Sequence, residues 1–288
     1  MSNIRGFLAS FLLEDLGFGD VTSEAVIPEN VIVEARIVCK EDGVIAGVSE
    51  ASELFKMIGI DVVTMVRDGE RVKKGDVVME LRGDARAILG AERTVLNLMM
   101  LMSGVATETA RLVEKARRVN GKVRVAGTRK TTPGFRYFEK KAIELGGGDP
   151  HRFRLDDLIL IKDNHIKIVG SVAEAIKRAK EKASFSKKIE VEVSSPNEAL
   201  EAVLSGADII MLDNMSVENV EKTIRNLKEH GLREKVIIEV SGGINFQNIE
   251  EYAALGVDVI STGHVTHSSK ALDLSLDIVK IISLKANN

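Results

Sequence analysis

The sequence predicts an α/β fold whose C-terminal part is a sheet of parallel strands. Short apolar runs rich in Val and Ile alternate with helix-like segments, several of which begin with Ser or Asn and end in Gly. Near-continuous apolar strands are typical of parallel sheets, and a strand spacing of roughly 20–30 residues is typical of an α/β barrel. The predicted strands are residues 122–127, 157–162, 188–193, 207–212, 235–240 and 257–262.

An open, doubly wound sheet is the alternative fold, although no GxGxxG motif follows the first predicted strand. The first hundred residues differ, because they contain patterns of strands and turns with a predicted helix at 48–58. RDGERVKKGDVVMEL (67–81) is similar to hairpins of lipoyl and biotin carriers, but the Met-Lys-Met or Asp-Lys-Ala motif of such domains is absent. A long helix across residues 90–118 is predicted to link the two parts.

Composition argues against several kinds of partner and location. The net charge of −3 gives no reason to expect nucleic acid or an anionic membrane surface. No apolar run approaches the roughly 18 residues that span a bilayer, and Glu14 and Asp15 interrupt the apolar opening, which favours an amphipathic helix over a signal peptide. The single cysteine, Cys39, cannot form an internal disulfide, so we expect a core residue in a cytoplasmic protein.

Polar residues follow the apolar runs where each predicted strand ends. In LILIKDNHI (158–166), four apolar residues lead directly into Lys162. The carboxyl ends of parallel strands meet at one edge of the sheet, and ligands of α/β proteins bind there. One polar strand end can be a solvated loop, but six together predict a site. These ends carry Thr128, Arg129, Lys130, Lys162, Glu192, Asp213, Ser241, Gly242, Gly243, Thr262, Gly263 and His264.

The residue types at this edge predict a strongly anionic ligand. Arg129, Lys130 and Lys162 bring cationic donors together in a protein of negative net charge, and His151 and Arg152 lie just upstream of the second strand. Arginine suits bidentate recognition of carboxylate or phosphate, whereas lysine acts as a point charge. Lys162 alone is also compatible with a Schiff-base lysine, which aldolases place at a barrel strand end.

Two further groups complete the predicted site. Glu192 and Asp213 could hold sugar hydroxyls or Mg²⁺, which usually binds one or two carboxylates together with substrate phosphates. SGGI (241–244) and TGH (262–264) can offer backbone N–H groups to a phosphate. Each glycine stretch could also be a plain turn, and His264 could be a helix cap.

At these residues the sequence resembles the quinolinate phosphoribosyltransferase family, and the resemblance covers nearly the whole chain. The most specific stretches are GTRKTTPGFRYFEKKAIELGGGDPHR (127–152) and LIKDNHI (160–166). EDLGFGDVTSEAVIP (14–28) and ERTVLNLMMLMSGVAT (92–107) extend it towards the N-terminus. One departure is Asp149-Pro150 ahead of His151, where many members carry Asn.

The resemblance implies an N-terminal α/β sandwich over residues 1–107 and an open or incomplete α/β barrel over 108–269 that carries the active site. A C-terminal helix, 270–288, would pack back on the first domain. The resemblance also implies a homodimer with shared active sites, or a higher assembly such as a hexamer. Arg93 matches the arginine that the neighbouring subunit would contribute, although its place in the sequence suggests only an exposed helix residue.

The implied reaction joins quinolinate to 5-phosphoribosyl 1-pyrophosphate and gives nicotinate mononucleotide, CO₂ and pyrophosphate in de novo NAD synthesis. Lys130, Lys162, Glu192 and Asp213 would be catalytic, and the two carboxylates would hold Mg²⁺ directly or through water. Quinolinate would bind Arg93, Thr128, Arg129, His151, Arg152 and Lys162. Phosphoribosyl pyrophosphate would bind Lys130, Glu192, Asp213, Ser241, Gly242, Gly243, Thr262, Gly263 and His264.

Three alternatives remain open from the sequence. A related phosphoribosyltransferase could act on nicotinate or another base, although a monocarboxylate would leave some of the cationic donors unpaired. A phosphosugar lyase could form a Schiff base on Lys162. A non-catalytic barrel could bind anions without turnover.

Overall fold

The computed structural model of the protein describes residues 2–283, which form two compact units. The first unit is Met1–Glu108 with Ser269–Asn288, and the second is Thr109–Ser268. The division therefore falls next to the boundary predicted after residue 107, inside a long helix.

The helices and strands are numbered in chain order. The helices are α1 (Ser2–Leu16), α2 (Val21–Val26), α3 (Val48–Met57), α4 (Ala85–Val119), α5 (Arg136–Leu145), α6 (Asp163–Val169), α7 (Val172–Lys182), α8 (Pro196–Leu204), α9 (Val217–Glu229), α10 (Ile249–Ala253) and α11 (His264–His267). The strands are β1 (Ile32–Cys39), β2 (Gly43–Val44), β3 (Asp61–Thr64), β4 (Arg71–Val72), β5 (Val77–Asp84), β6 (Arg124–Ala126), β7 (Ile159–Ile161), β8 (Ile189–Val193), β9 (Ile209–Asp213), β10 (Ile237–Ser241), β11 (Val259–Ser261) and β12 (Leu274–Ser283).

The first unit is built on an antiparallel sheet in the order β12-β1-β5-β3. Alternate residues of β1 are buried, and Cys39 at its end is a free thiol in the core, as predicted. Two hydroxyls of α4 cap backbone groups that follow β1: Val44 N–H donates to Thr107 Oγ1 at 2.8 Å, and Ala46 N–H donates to Ser103 Oγ at 2.9 Å. Met99 and Met102 of the same helix are buried in the core.

The C-terminal segment corrects one prediction. Leu274–Ser283 is the strand β12 and not a helix, and it pairs with β1 from Cys39↔Leu274 to Ile32↔Ser283. The segment is rich in Ile and Val, whose branched side chains fit a pleated surface, and β1 offers it an otherwise unpaired edge. The strand belongs to the first unit, while residues 284–288 lie outside the described residues.

The second unit contains six parallel strands in the order β6-β11-β10-β9-β8-β7. All six predicted strands are confirmed, and within residues 2–283 no hydrogen-bonded pairing joins the two edge strands β6 and β7, so the sheet is open. Ser171, Ser195 and Ser216 each cap the helix that follows by accepting a backbone N–H. The predicted α/β class with an open parallel sheet is confirmed.

Helix α4 is long and apolar enough to cross a membrane by length and composition alone. Of its most apolar 18-residue window, 61 % is buried inside the protein. The central helix of a globular core meets the same criteria, so its apolar character is accounted for by packing.

Candidate active site

The carboxyl ends of the parallel strands surround a cavity of about 450 Å³ in the second unit. The structure therefore brings together most of the residues that the sequence placed at this edge. Leu160, Met211 and Asn214 also line the cavity, as do Gly127, Glu239 and Ser261. The predicted residues in the lining are Thr128, Arg129, Lys130, His151, Arg152, Lys162, Glu192, Asp213, Ser241, Gly242 and Gly243.

The turn after β6 presents a guanidinium to the cavity. Thr128 Oγ1 accepts the backbone N–H of Lys130 at 3.0 Å, which fixes the turn. Arg129 Nε is buried, and no hydrogen-bond partner for it is found within residues 2–283. Because buried donors are nearly always satisfied, this N–H is available to a ligand that enters the cavity.

Lys162 is the first polar residue after the apolar strand β7. It lies between β7 and α6, and its N–H donates to His165 Nδ1 at 2.9 Å, which closes the first turn of the helix. Its ammonium forms an ion pair with Glu192 at the end of the neighbouring strand β8. The Lys162 amine is therefore engaged by a carboxylate, whereas a Schiff-base lysine needs a free amine that can attack a carbonyl.

The turn after β10 requires glycine for two reasons. Gly242 has φ of +93°, and a Cβ there would lie 2.3 Å from Asn214 Oδ1. Gly243 has φ of +64°, and nothing lies within 4 Å of the Cβ position, so its backbone is open. The adjacent turn is tied to this one because Thr262 Oγ1 donates to Ile244 O at 2.6 Å.

Below these groups lies a buried cluster of one histidine and two carboxyl groups. His151 Nε2 is 3.1 Å from Glu239 Oε2 and 3.7 Å from Glu190 Oε2. Both oxygens of Glu190 and Oε1 of Glu239 are buried, with no hydrogen-bond partner among residues 2–283. Burial, followed by the charge of Glu239, raises the pKa of Glu190 well above the range of a free carboxyl.

His151 is engaged at both ring nitrogens. Burial tends to lower the pKa of His151, but the hydrogen bond and charge of Glu239, with the charge of Glu190, reverse this and raise it. Nδ1 accepts the backbone N–H of Arg152 at 2.7 Å, so that nitrogen carries no proton in this arrangement. The proton is on Nε2 and points at Glu239, which leaves no ring N–H directed at the cavity.

Arg152 and Lys140 are cations held next to this cluster. Arg152 is 9 % exposed, and burial together with nearby Arg129 lowers its pKa. Lys140 is 1 % exposed, and its ammonium donates to the carbonyl of Pro150. Burial, then the charge of Arg136, lowers the pKa of Lys140 to about 8.

Comparison with known proteins decides the family. Family models of quinolinate phosphoribosyl transferase match the chain over residues 20–103 for the N-terminal domain and 105–277 for the C-terminal domain. The chain belongs to the quinolinate phosphoribosyltransferase family.

Individual members of the family match over nearly their whole length. The chain is 51 % identical over 264 residues to a probable nicotinate-nucleotide pyrophosphorylase (carboxylating) of Methanothermobacter thermautotrophicus, covering 92 % of this chain and 95 % of that protein. Identity to the Archaeoglobus fulgidus protein of the same description is 54 %, covering 91 % and 99 %. The crystal structure of NadC from Streptococcus pyogenes superposes with a TM-score of 0.91 at 38 % identity and covers 98 % of both chains.

Four residues that the family resemblance placed in the site are not among those that line the cavity. Arg93 lies on α4 in the first unit and is exposed. Thr262 is buried and links two turns, and His264 begins α11. Gly263 lies beside Lys130: a Cβ at this glycine would come within 3.1 Å of the Lys130 side chain.

Sequence reasoning missed Glu190, Glu239 and Lys140. The signal for the first two was present, because each carboxyl interrupts an otherwise apolar strand of a sheet buried on both faces. Glu190 and Glu192 are two residues apart on β8 and therefore lie on the same face of the sheet. Lys140 gave no comparable signal, since a lysine on a predicted helix usually faces solvent.

Proposed function

We propose that this chain transfers the phosphoribosyl group of 5-phosphoribosyl 1-pyrophosphate to the ring nitrogen of quinolinate, and that the 2-carboxylate leaves as CO₂. The products are nicotinate mononucleotide and pyrophosphate. Membership of the family supports the reaction. The observation that carries it is one cavity lined by two arginines with an unpaired guanidinium N–H, by Glu192 and Asp213, and by the open glycine turn.

Quinolinate binding follows from charge. Arg129 and Arg152 lie close enough for Arg129 to lower the pKa of Arg152, so two cations repel each other in this cavity. A ligand with two adjacent carboxylates offers each guanidinium a partner and removes that repulsion. Lys162 would add a third positive charge, and Thr128 a hydroxyl donor.

Phosphoribosyl pyrophosphate would occupy the opposite side of the cavity. The 5′-phosphate would bind the backbone N–H groups of Gly242 and Gly243, and the pyrophosphate would meet Lys130. Glu192 and Asp213 lie at the ends of the neighbouring strands β8 and β9 and both line the cavity. Two carboxylates beside a pyrophosphate fit the oxygen ligands that Mg²⁺ prefers, and the bound ion would neutralise charge on the departing group.

The chemical steps need no covalent enzyme intermediate. The pyridine nitrogen forms a bond to the anomeric carbon while the bond from that carbon to pyrophosphate breaks. Glu192 and Asp213 would stabilise the positive charge that develops on the sugar. The ring nitrogen becomes cationic, and its positive charge stabilises the electron pair that stays on C2 when the carboxylate departs as CO₂; a proton then forms the C2–H bond.

Two further properties belong to the proposal. We expect a homodimer or a hexamer in which Arg93 completes the site of the neighbouring subunit, and a cytoplasmic location in keeping with the single buried thiol. Mixing Arg93→Ala with Lys130→Ala subunits tests the sharing, because a mixed dimer would contain one site with both groups. Regained activity supports shared sites; proven mixed dimers that stay inactive exclude them.

The decisive experiment compares two bases. Purified protein is incubated with phosphoribosyl pyrophosphate and Mg²⁺, with quinolinate in one reaction and nicotinate in the other, and mononucleotide and CO₂ are measured. Mononucleotide with equimolar CO₂ from quinolinate alone supports the proposal. Product from nicotinate alone would instead assign the chain to a related phosphoribosyltransferase, and no product in either reaction would reject both.

A further inference from the structure

The loop Asp149–Arg152 carries Arg152 into the cavity in a conformation that the surrounding structure must maintain. His151 has φ of +53°, which costs an L-residue about 1 kcal/mol or more. Inside the loop, His151 N–H donates to Asp149 Oδ1 at 2.7 Å, and Asp149 also pairs with Arg124 at 3.2 Å. The backbone of Asp149 is also tied to β6, since its N–H donates to Val125 O at 2.8 Å and its carbonyl accepts from Gly127 at 2.9 Å. These bonds fix the start of the loop, but they leave the Pro150 carbonyl and the His151 ring to other partners.

We propose that Lys140 and Glu239 are positioning residues that hold this loop at Pro150 and at His151, so that Arg152 faces a dicarboxylate substrate. The inference rests on the proposed function, because it assigns both residues to quinolinate binding. Lys140 is not among the residues that line the cavity, and Glu239, which is, uses its Oε2 to accept the ring N–H of His151, so each acts on the substrate through the loop.

Lys140 anchors the loop at Pro150. Proline has no N–H, so its carbonyl is the residue's one backbone hydrogen-bonding group, and Lys140 Nζ donates to it. A lysine that is 1 % exposed is costly to bury, and lysine is almost never fully buried without a partner. We therefore infer that this buried ammonium serves to hold the loop, which carries Arg152 into the cavity.

Glu239 anchors the loop at His151. Its Oε2 accepts the Nε2–H proton at 3.1 Å, and the opposite nitrogen accepts the N–H of Arg152. The imidazole is thus a rigid link between a carboxylate fixed on β10 and the backbone of Arg152. Without the Glu239 carboxylate, the His151 ring could rotate, and the Arg152 side chain would no longer be held in one direction.

The same geometry argues against a metal at this cluster, although the ligand atoms of His151, Glu190 and Glu239 lie within 4.8 Å of one another. A metal at Nε2 would need the lone pair of that nitrogen. Because Nδ1 already uses its own lone pair to accept an N–H, the ring would then have to lose its last proton. A hydrogen-bonded anchor requires no such ionisation.

The kinetic test uses Lys140→Met and Glu239→Leu, with Lys177→Met and Glu251→Leu as controls at exposed positions. We expect both test variants to raise the KM for quinolinate about 10- to 100-fold with a smaller change in kcat, as misplacement of a binding group does. The KM for phosphoribosyl pyrophosphate and both controls should stay near the wild-type values. Glu239→Gln keeps an acceptor oxygen and should restore most of the quinolinate affinity.

The outcomes separate this inference from the proposed function. If wild-type protein turns over quinolinate and the folded variants keep its KM, or if the KM values of both substrates rise equally, the positioning role is wrong. If wild-type protein does not use quinolinate, the proposed function itself fails.

A second measurement does not depend on activity or on variants that fold poorly. In the ¹⁵N spectrum of histidine-labelled protein, with His151 assigned through His151→Gln, we expect a neutral ring protonated on Nε2 and unprotonated on Nδ1 in mildly alkaline buffer, above the raised pKa of His151. A neutral ring protonated on Nδ1, or a Zn²⁺-induced shift of this signal at one equivalent, would overturn the anchor.

Discussion

Two groups of charged residues at the site differ in their exposure to water. The strand-end residues that line the cavity, such as Lys162 and Glu192, form the rim, and the buried Glu190, Glu239 and Lys140, with the largely buried His151, form the floor. At the rim, the Lys162 side chain is 44 % exposed and pairs with Glu192 within reach of water. At the floor, Glu190 is fully buried and Lys140 nearly so, and the pKa values of both groups are shifted towards the neutral form. A partly exposed charge at the rim costs little folding free energy and can still bind a ligand. A buried charge at the floor lowers the free energy of unfolding, and its interactions fix the conformation of the neighbouring residues.

A large effect on catalysis should follow from Arg129, whose buried Nε has no hydrogen-bond partner within residues 2–283. Arg129→Ala should lower kcat/KM for quinolinate by about 100-fold or more, roughly 3 kcal/mol, because a ligand carboxylate loses its charged partner. Steady-state kinetics at varied quinolinate measure this, with exposed Arg225→Ala as the control. Unchanged affinity in the folded variant would remove the dicarboxylate assignment.

Burial of Lys140 should make the free energy of unfolding depend on pH. Its ordinary pKa of 10.5 falls to about 8 in the folded protein, so between these values the unfolded chain holds a proton that the folded protein has released. Unfolding then takes up a proton, and the stability contributed by this group rises with pH. Relative to Lys140→Met, wild-type stability should gain about 3 kcal/mol across the window, at 1.36 kcal/mol per unit.

Urea unfolding of both proteins below pH 8 and near pH 10.5 measures this difference. Exposed Lys177→Met should show no such slope. A difference between wild type and Lys140→Met that does not change with pH would mean that the Lys140 ammonium is not destabilised in the folded protein.

Glu190 should show the opposite slope. Its folded pKa is raised above the ordinary 4.5, so the unfolded chain loses its proton first as pH rises. Unfolding then releases a proton, and the stability contributed by Glu190 falls from pH 4.5 up to the raised value. Glu190→Gln lacks this loss and should gain up to about 5 kcal/mol on wild type between pH 4.5 and about pH 8, at 1.36 kcal/mol per unit; parallel stability curves would contradict it.

The smallest effect on stability should come from the rim. Lys162→Met breaks the ion pair with Glu192, but a partly exposed pair contributes less than about 1 kcal/mol, so the midpoint of urea unfolding should hardly move. Quinolinate turnover should nevertheless be lost. A large destabilisation would show that the rim shares the structural role of the floor.

Local patterns explain why the rim could be predicted and the floor could not. Each rim residue directly follows an apolar run, and parallel strands bring their carboxyl ends to one edge, so sequence order already implies proximity. The floor depends on pairs such as His151 with Glu239, which are far apart in sequence and meet only because β10 lies inside the sheet. The positive φ of His151 was likewise invisible, because a histidine gives no conformational signal of the kind that glycine does.

The sequence by itself determined the parallel strands, the serine caps, the convergent polar ends and, through its resemblance, the family. These features depend on periodicity and on residues that are neighbours along the chain. Only the tertiary structure decided that Leu274–Ser283 pairs as a strand with β1, that Lys140 is buried against Pro150, and that His151 gives its one ring proton to Glu239. Each of these depends on a partner more than a helical turn away, and free energies of burial and pairing are set by such partners and not by the local sequence.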